Sequence, residues 1–428
     1  MKESFADAMT ELLGPGEATA LLDALNAPPR KSVRWNATRA TTEHAGEPIA
    51  WCPEHGRWWS EPTPPGQTLD YAAGQYYIQE ASAMLAAEAA RRALDLAGLR
   101  VLDLCAAPGG KATQAAEYAG LLVANEVIRS RYDALLWNLA RHRLPNVVSL
   151  SLPTERLAAM LPGWFDVVLC DAPCSGEGLF LKRKHSPDAW SHSQVQFCAR
   201  RQQSILSDAD RLLRPGGLLV YATCTFSREE DEDQAARLLD AGYTPEPFPA
   251  VAGLSPALSD RADVQACCRR IWPHVQGAAG AFVCLLRKPD GPAEPDPPSA
   301  AHQTERLRRL LPQGAPVALP EDAGLYRTGD VLRACSLPNL PRCLAEADIG
   351  LALLRTGANP LWLHGCTAWP GSTLPLDEQQ ARAYVRGEDL RLPAPDGWTV
   401  VSHADEALGL VKVSANRWVN HFPKALRL

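Results

Sequence analysis

The sequence predicts a doubly wound α/β protein with a parallel central sheet, a small amino-terminal unit before it and a mixed carboxyl-terminal unit after it. Three observations carry this prediction. Between residues 71 and 288, short apolar runs alternate with helical patterns at the lengths of βαβ units. The runs are continuous rather than alternating, as in strands buried on both faces. The proline-rich stretch from Lys288 to Ala301 holds little that is apolar and reads as a linker.

Taken in order, residues up to Asn26 carry apolar positions at helical spacing, from Phe5, Met9, Leu12 and Leu13 to Leu21, Leu22 and Leu25, and Pro28-Pro29 stops the pattern. A basic stretch from Arg30 to Arg39 leads into Trp51, Trp58 and Trp59, too much aromatic surface to leave in water, so residues 1–70 are expected to form a domain. An alanine-rich helix is expected from Ser82 to Ala97, and the first central strand from Arg100 to Cys105. Next come a tight turn at Ala106 to Gly110, a helix from Lys111 to Ala119, and a strand from Leu121 to Asn125 that ends at Glu126. A helix from Arg129 to Arg141, a strand from Val147 to Leu150 and the buried run Phe165 to Cys170 follow. A helix from Ser193 to Leu213 ends at Arg214-Pro215-Gly216-Gly217 in favour of a strand from Leu218 to Tyr221, and a further strand pair is expected near Gly242–Pro247 and Gly280–Leu286. After a linker at 289–302, residues 303–428 show short strands at Gly324–Arg327, Gly350–Leu354, Leu361–His364 and Gly409–Val413, with one helix at Leu376–Val385.

Composition narrows the function. At 428 residues and 46% hydrophobic the chain can bury more than one core. No apolar run approaches the roughly 20 residues of a bilayer span, and Glu3, Asp7 and Glu11 are unlike a secretory signal, so a cytoplasmic protein is expected. Twelve cysteines without such a signal point to reduced thiols. Cys52-Pro53-Glu54-His55 lacks a second ligand pair and reads as a surface turn, so no metal is expected. The net charge of −6 does not advertise a nucleic-acid binder. Phosphate contact depends on local clusters, however, and these occur at Arg30-Lys31 with Arg34, at Lys182-Arg183-Lys184 and at Arg200-Arg201.

The chemistry concentrates at two strand ends. Asp171-Ala-Pro-Cys174-Ser-Gly follows the run from Phe165, and Thr223-Cys224-Thr225 follows Leu218 to Tyr221; ligands of open α/β sheets bind beyond such carboxyl ends. Cys105-Ala106-Ala107-Pro108-Gly109-Gly110-Lys111 fits neither a dinucleotide fingerprint nor an ATP phosphate loop. Its glycines permit close backbone approach at a helix start, where free N–H groups suit a carboxylate such as that of S-adenosylmethionine. Glu126 stands where an acid grips ribose hydroxyls, and Asp103 shares the unit. A thiolate can add to C6 of a pyrimidine and make C5 nucleophilic, a second thiol can take the C5 proton, and Asp171 can meet the base's N3 or amino edge. The residues alone do not say which of Cys174 and Cys224 attacks.

With these motifs, with Glu229-Glu230-Asp231-Glu232 and with Arg270-Ile271-Trp272-Pro273-His274, the chain resembles the Sun family of RNA cytosine-5 methyltransferases. Pro29 to Thr38, Leu374–Asp377, Tyr384–Glu388 and Asn420–Lys424 extend the resemblance to its bacterial RsmF-type members, which modify small-subunit ribosomal RNA. The resemblance implies a Rossmann-like S-adenosylmethionine-dependent core, a small amino-terminal domain and a carboxyl-terminal mixed α/β PUA-like RNA-binding domain. It makes Cys224 the nucleophile, Cys174 the releasing thiol, and Cys105 to Lys111, Glu126 and Asp171 the cofactor contacts; Lys111 is further expected to steady substrate or a proton relay. Where relatives carry an aspartate after the third strand, this chain has Ser151-Leu152-Pro153-Thr154, so a backbone amide or Thr154 is expected in its place. The implied partner is ribosomal RNA, in the small subunit or its precursor, met by a monomer. The rival readings are an amino-group methyltransferase, which would carry an aromatic where Cys174 stands, and a non-catalytic ribosome-assembly or RNA-binding factor. Of Trp362, Trp369, Trp398 and Trp418, most are expected in a core and one or two against bases.

Overall fold

The computed structural model describes residues 4–39, 46–182, 187–299, 307, 324–328, 331–335, 340–344, 347–349, 351–355, 361–362, 373–415 and 417–428. The amino terminus forms two helices rather than one, Phe5–Leu13 and Pro15–Asn26. The break falls at Gly14, whose φ is +81°, and Pro15, which has no N–H to continue the first helix. Phe5, Met9, Leu21 and Leu25 pack with Phe180, Trp190, Phe226 and Trp272, so the pair braces the loops that leave the central sheet. A four-stranded sheet follows, ordered β2-β3-β1-β4, with β1 at Ser32–Trp35, β2 at Pro48–Ile49, β3 at Cys52–Trp58 and β4 at Tyr76–Tyr77. Cys52-Pro53-Glu54-His55 thus belongs to a strand and not to a turn, with Cys52 buried.

The central strands are β5 (Arg100–Asp103), β6 (Leu121–Asn125), β7 (Val147–Leu150), β8 (Phe165–Asp171), β9 (Leu213–Thr223), β10 (Thr244–Pro245), β11 (Ser255–Pro256), β12 (Cys268–Ile271) and β13 (Ala281–Arg287). They lie in the order β11-β12-β13-β9-β8-β5-β6-β7, with β10 pairing β13. From β9 to β7 all pairs are parallel, while β13 runs antiparallel to β9, so the sheet is mixed at one end. β6 and β8 are buried almost throughout, the condition their unbroken apolar runs require. Ala86, Ala87, Ala89 and Ala90 of the helix Leu85–Ala93 are at most 2% exposed, and their small side chains let the helix lie close on β9 and β13. Arg214 to Gly217 is taken into β9 as an irregularity: Phe165 pairs Leu213 but Val167 pairs Leu218.

Beyond the linker the described residues form two sheets rather than one unit. Gly324–Thr328, Val331–Cys335, Leu351–Arg355 and Leu361–Trp362 pair antiparallel, and Asp348–Ile349 adds to the edge of β7. The second sheet joins Thr373–Pro375, Gly397–His403, Glu406–Ser414 and Arg417–Asn420 beside the helix Glu378–Val385. Its core of Tyr384, Val401, Val411, Trp418 and Phe422 closes over Leu69, Ala72 and Ala73, and Arg143 donates to the Ala407 and Leu408 carbonyls, which docks it on the rest of the chain.

Candidate active site

Neighbouring parallel strands bring the two thiol segments to one rim. Asp171 at the end of β8 pairs Ala222 of β9, so the chain leaves both strands side by side. Cys174 Sγ and Cys224 Sγ then stand 3.4 Å apart. The Gly178 amide donates to the Cys224 carbonyl at 2.8 Å, tying the first loop to the second. A Cβ on Gly178 would stand 2.7 Å from that carbonyl oxygen and 3.0 Å from the Gly280 backbone, so glycine is required there. Cys224 lines a cavity of about 330 Å³ together with Lys111, Asp171 and the Cys105 turn. The two sulfurs are within hydrogen-bonding reach, and the hydrogen bond to Cys224, then burial, hold the Cys174 pKa well above the ordinary thiol value.

Lys111 Nζ lies 2.7 Å from Asp171 Oδ2. Burial opposes the lysine's charge, but the charge and hydrogen bond of Asp171 together with the nearby Asp103 and Cys224 outweigh it, so the Lys111 pKa is raised and the ammonium persists. Cys105, Ala106, Ala107, Pro108 and Gly110 line the same cavity, whereas Gly109, at φ +112°, lies against Leu135 and shapes the turn. The Ala107–Pro108 bond is cis, and the turn is held by Arg131 Nη2 on the Ala107 carbonyl at 2.6 Å and Asn138 Nδ2 on that of Pro108 at 2.8 Å. Burial pushes the Cys105 thiol up, which leaves it a wall rather than a nucleophile.

A second cavity of about 330 Å³ shares Cys105 and Arg131 with the first and is lined by Glu126, Val127, Ile128, Pro153, Thr154 and Arg201. Its acid is prepared for hydroxyl donors: Glu126 is buried, its Oε1 accepts from the Ile128 amide at 2.8 Å, and its Oε2 has no hydrogen-bond partner, although Arg131 Nη1 lies 3.3 Å away. Asp103, unexposed on the wall of the first cavity, also has both carboxylate oxygens without a bonded partner, with only modest help from the Cys105 amide. Burial first, then Asp171, raise its pKa to about 7. An ammonium and a pair of hydroxyls would satisfy these orphaned oxygens, which is the donor set S-adenosylmethionine carries. Thr154 lines this cavity where the relatives' acid would stand; its hydroxyl donates to Asp208 Oδ2 at 2.6 Å, which leaves its oxygen as an acceptor.

The sequence assigned no role to the acidic run after Thr-Cys-Thr, yet Glu230, Asp231 and Glu232 within it are buried behind the thiols. Arg270 is 1% exposed, forms a two-bond pair with Glu232 at 2.7 and 2.6 Å, and meets Asp231 at 2.9 Å. Thr223, beside Cys224, donates to Asp231, and Glu230 accepts from Ser175, beside Cys174. The signal was five consecutive acids, Glu229 to Asp233, leading from a buried strand into a helix; Arg270, the partner of Asp231 and Glu232, is remote in sequence. Cys267, Cys268 and Cys284, also unremarked, bring buried sulfurs within 4.8 Å of one another.

The basic residues separate. Arg34 is not a phosphate contact: it is 1% exposed and bonds Gln79 Oε1 at 2.9 Å, Thr113 Oγ1 at 2.8 Å and Glu117. Its position in the inward-facing β1 buries it against the cofactor-turn helix. Arg30 and Lys31 are exposed and line a cavity of about 550 Å³ that shares Ile78, Gln79, Glu80 and Ala279 with the catalytic one. Arg30 also meets Glu47 at 2.8 Å and stacks 3.9 Å over Trp58. Arg183 and Lys184 lie outside the described residues, as do the side chain of Lys182, that of Trp362, and Trp369. Trp418 is core, donating to the Leu392 carbonyl at 2.8 Å, and Trp398 is half-buried beside His421 and Lys412. Among the described residues no helix is long and apolar enough to cross a membrane.

Comparison with known proteins agrees with this architecture. Residues 1–81 match the N-terminal domain of 16S rRNA methyltransferase RsmF, residues 95–287 the 16S rRNA methyltransferase RsmB/F family, and residues 372–428 the methyltransferase RsmF PUA domain. The chain is similar to ribosomal RNA small subunit methyltransferase F of Vibrio cholerae serotype O1, with 30% identity over 470 residues that cover 100% of this chain and 97% of that protein. The protein of the same name from Erwinia tasmaniensis is 30% identical over 468 residues, covering 99% and 96%. A methyltransferase homologue from Pyrococcus horikoshii, of known crystal structure, superposes with a TM-score of 0.58 at 27% identity over 66% of this chain and 94% of its own. The chain belongs to the RsmF family of S-adenosylmethionine-dependent ribosomal RNA methyltransferases.

Proposed function

We propose that this chain methylates C5 of cytidine in 16S ribosomal RNA, in the small subunit or its precursor, as a cytoplasmic monomer, through a covalent adduct on Cys224. The observation that carries the reading is the thiol pair 3.4 Å apart, of which Cys224 lines the cavity beside Lys111 and Asp171. When bound, S-adenosylmethionine supplies an electrophilic methyl group. Asp103 would face its ammonium, Glu126 its ribose hydroxyls, and the turn from Cys105 to Lys111 its remaining length.

Cys224, as thiolate, forms a bond to C6 of the cytosine, and the electron pair of the 5,6 double bond moves to C5. Asp171 accepts from the amino group of the base, or from N3 once it is protonated as the ring is attacked, with Lys111 fixing the carboxylate. Once C5 is methylated, Cys174 removes its proton, the C6–S bond breaks, the double bond returns and Cys224 leaves as thiolate. Cys174 therefore gives up its resting proton to solvent water before it takes that of C5, which accounts for the one proton the overall reaction releases. The target base must be unstacked, because C6 is unreachable in a helix. The cavity bordered by Arg30 and Lys31 accommodates the neighbouring nucleotides, with Lys182, Arg183 and Lys184 as further phosphate contacts and the PUA-like domain holding more distant RNA.

The test is in vitro methylation of small-subunit ribosomal RNA from cells lacking this protein, with 5-methylcytosine mapped by sequencing. A discrete modified cytidine is expected. Methylation of an exocyclic amine, or cofactor affinity by calorimetry without any methyl transfer, would replace this reading with one of its rivals.

A further inference from the structure

Behind the thiols lies a buried acid that this chemistry leaves unused. The Glu230 carboxylate collects four donors: the Ser175 amide at 3.0 Å and Gln202 Nε2 at 2.7 Å on Oε2, and the Thr225 hydroxyl at 3.3 Å and the Ser175 hydroxyl on Oε1. Ser175 follows Cys174 and Thr225 follows Cys224, so one side chain binds the residue next to each thiol; the two hydroxyls are themselves 3.0 Å apart. Glu177 Oε1, held by Trp190 Nε1 at 2.8 Å, approaches the same Ser175 hydroxyl at 2.7 Å. One hydroxyl proton cannot serve two carboxylates, so the cluster is complete only when a carboxyl contributes a proton of its own. Glu230 suits that state: burial and then the Glu177 charge raise its pKa to about 7 against the hydrogen bonds from Ser175 and Gln202.

We infer that Glu230 is a positioning residue that clamps the Cys174 turn to the Cys224 turn and thereby fixes the separation of the two sulfurs. This rests on the reading of Cys224 as nucleophile and Cys174 as releasing thiol. The two turns are not equally secured. Cys224 follows directly on β9, whereas Cys174 lies in an irregular segment beyond β8, held by the Ala172 amide on the Ala222 carbonyl, the Gly178 amide on the Cys224 carbonyl, Gln202, which donates to the Pro173 carbonyl at 3.1 Å, and Glu230. Loosening the clamp displaces Cys174 first. Adduct formation then outlasts adduct release.

The test uses the full chain with S-adenosylmethionine and transcribed small-subunit ribosomal RNA, comparing wild type, Glu230→Ala and Ser175→Ala. Glu230→Ala removes the bonds to Ser175, Thr225 and Gln202 together, whereas Glu230→Gln, which mimics the protonated carboxyl, should retain them. The expected result for Glu230→Ala is a kcat lower by about tenfold or more, with KM for RNA within about twofold, and a fraction of protein linked to RNA on denaturing gels above wild type. Ser175→Ala keeps its amide on Glu230 and shows the same split more weakly; it decides the matter alone if Glu230→Ala does not fold. Turnover within twofold of wild type in both alanine variants overturns the inference, as does a loss of turnover without accumulated adduct. If instead Cys224→Ala turns over, the assignment of the thiols fails, whatever Glu230 does.

Discussion

Arg34→Met tests whether the basic amino-terminal segment is an RNA-binding surface throughout or is divided by burial. Arg34 and Glu117 are each 1% exposed in their side chains, and the guanidinium also holds Gln79 and Thr113. Removing it strands Glu117 with little more than the Ala37 amide at 3.2 Å. Breaking one partner of a buried pair costs about 3–5 kcal/mol, because the remaining charge stays desolvated. For a chain of this size that is a fall in thermal midpoint on the order of 10 °C. Arg34→Met/Glu117→Gln removes the stranded charge, keeps an acceptor for Ala37 and should recover more than half the loss. The deficit should also shrink at low pH. Burial already raises the Glu117 pKa above its ordinary 4.5 despite Arg34, so the folded state of the variant takes up a proton before the unfolded one does, and the penalty present at neutral pH fades as pH falls toward 4.5. Thermal melts of the three proteins, with RNA affinity measured against salt, decide it. A variant with an unchanged midpoint and a shallower salt dependence would refute the structural role and restore Arg34 to the RNA surface.

Arg30→Ala and Lys31→Ala should do the reverse, leaving the midpoint alone, weakening RNA binding, and each lowering the slope of log affinity against log salt by about 0.7, as measured by filter binding. Asp103, with a pKa of about 7 against an ordinary 3.8, holds a proton in the folded state that the unfolded state has shed, so stability of the cofactor-free protein should fall as pH rises between those values and flatten in Asp103→Asn. Because a bound ammonium favours the carboxylate, affinity for S-adenosylhomocysteine should drop about tenfold per pH unit below 7, with a proton released on binding in calorimetry, and Asp103→Asn should abolish both. Gly178→Ala puts a Cβ 2.7 Å from the Cys224 carbonyl, so turnover should fall by about tenfold or more while cofactor affinity holds; normal turnover would show the loop free to shift.

How much of this could be read in the sequence depended on where each determinant lies. β6 and β7 were legible to the residue, since an apolar run bounded by turn residues contains its own signal. The cysteine-bearing turns were legible because a proline-stiffened thiol at a strand exit is chemically distinctive, and their proximity follows from adjacent parallel strands. Arg34 was misread because its partner lies 83 residues on, and nothing within the segment distinguishes a buried guanidinium from a solvated one. Glu230 was passed over for the same reason, as its donors come from Ser175 and Gln202 on other elements. The helix break at Gly14-Pro15 was visible but outweighed by apolar spacing that ran through it. The two sheets beyond the linker were not separable, because an antiparallel edge such as Asp348–Ile349 on β7 is decided by the surface it meets.

The most direct measurement is a single-turnover reaction of Cys224→Ala and Cys174→Ala with small-subunit ribosomal RNA, followed both for methyl transfer and for protein linked to RNA. Cys224→Ala should show neither product, and Cys174→Ala should accumulate the linked species, because the bond to C6 forms but the C5 proton has no acceptor. Full turnover by Cys224→Ala, or trapped adduct in Cys224→Ala and none in Cys174→Ala, would contradict the assignment of the two thiols.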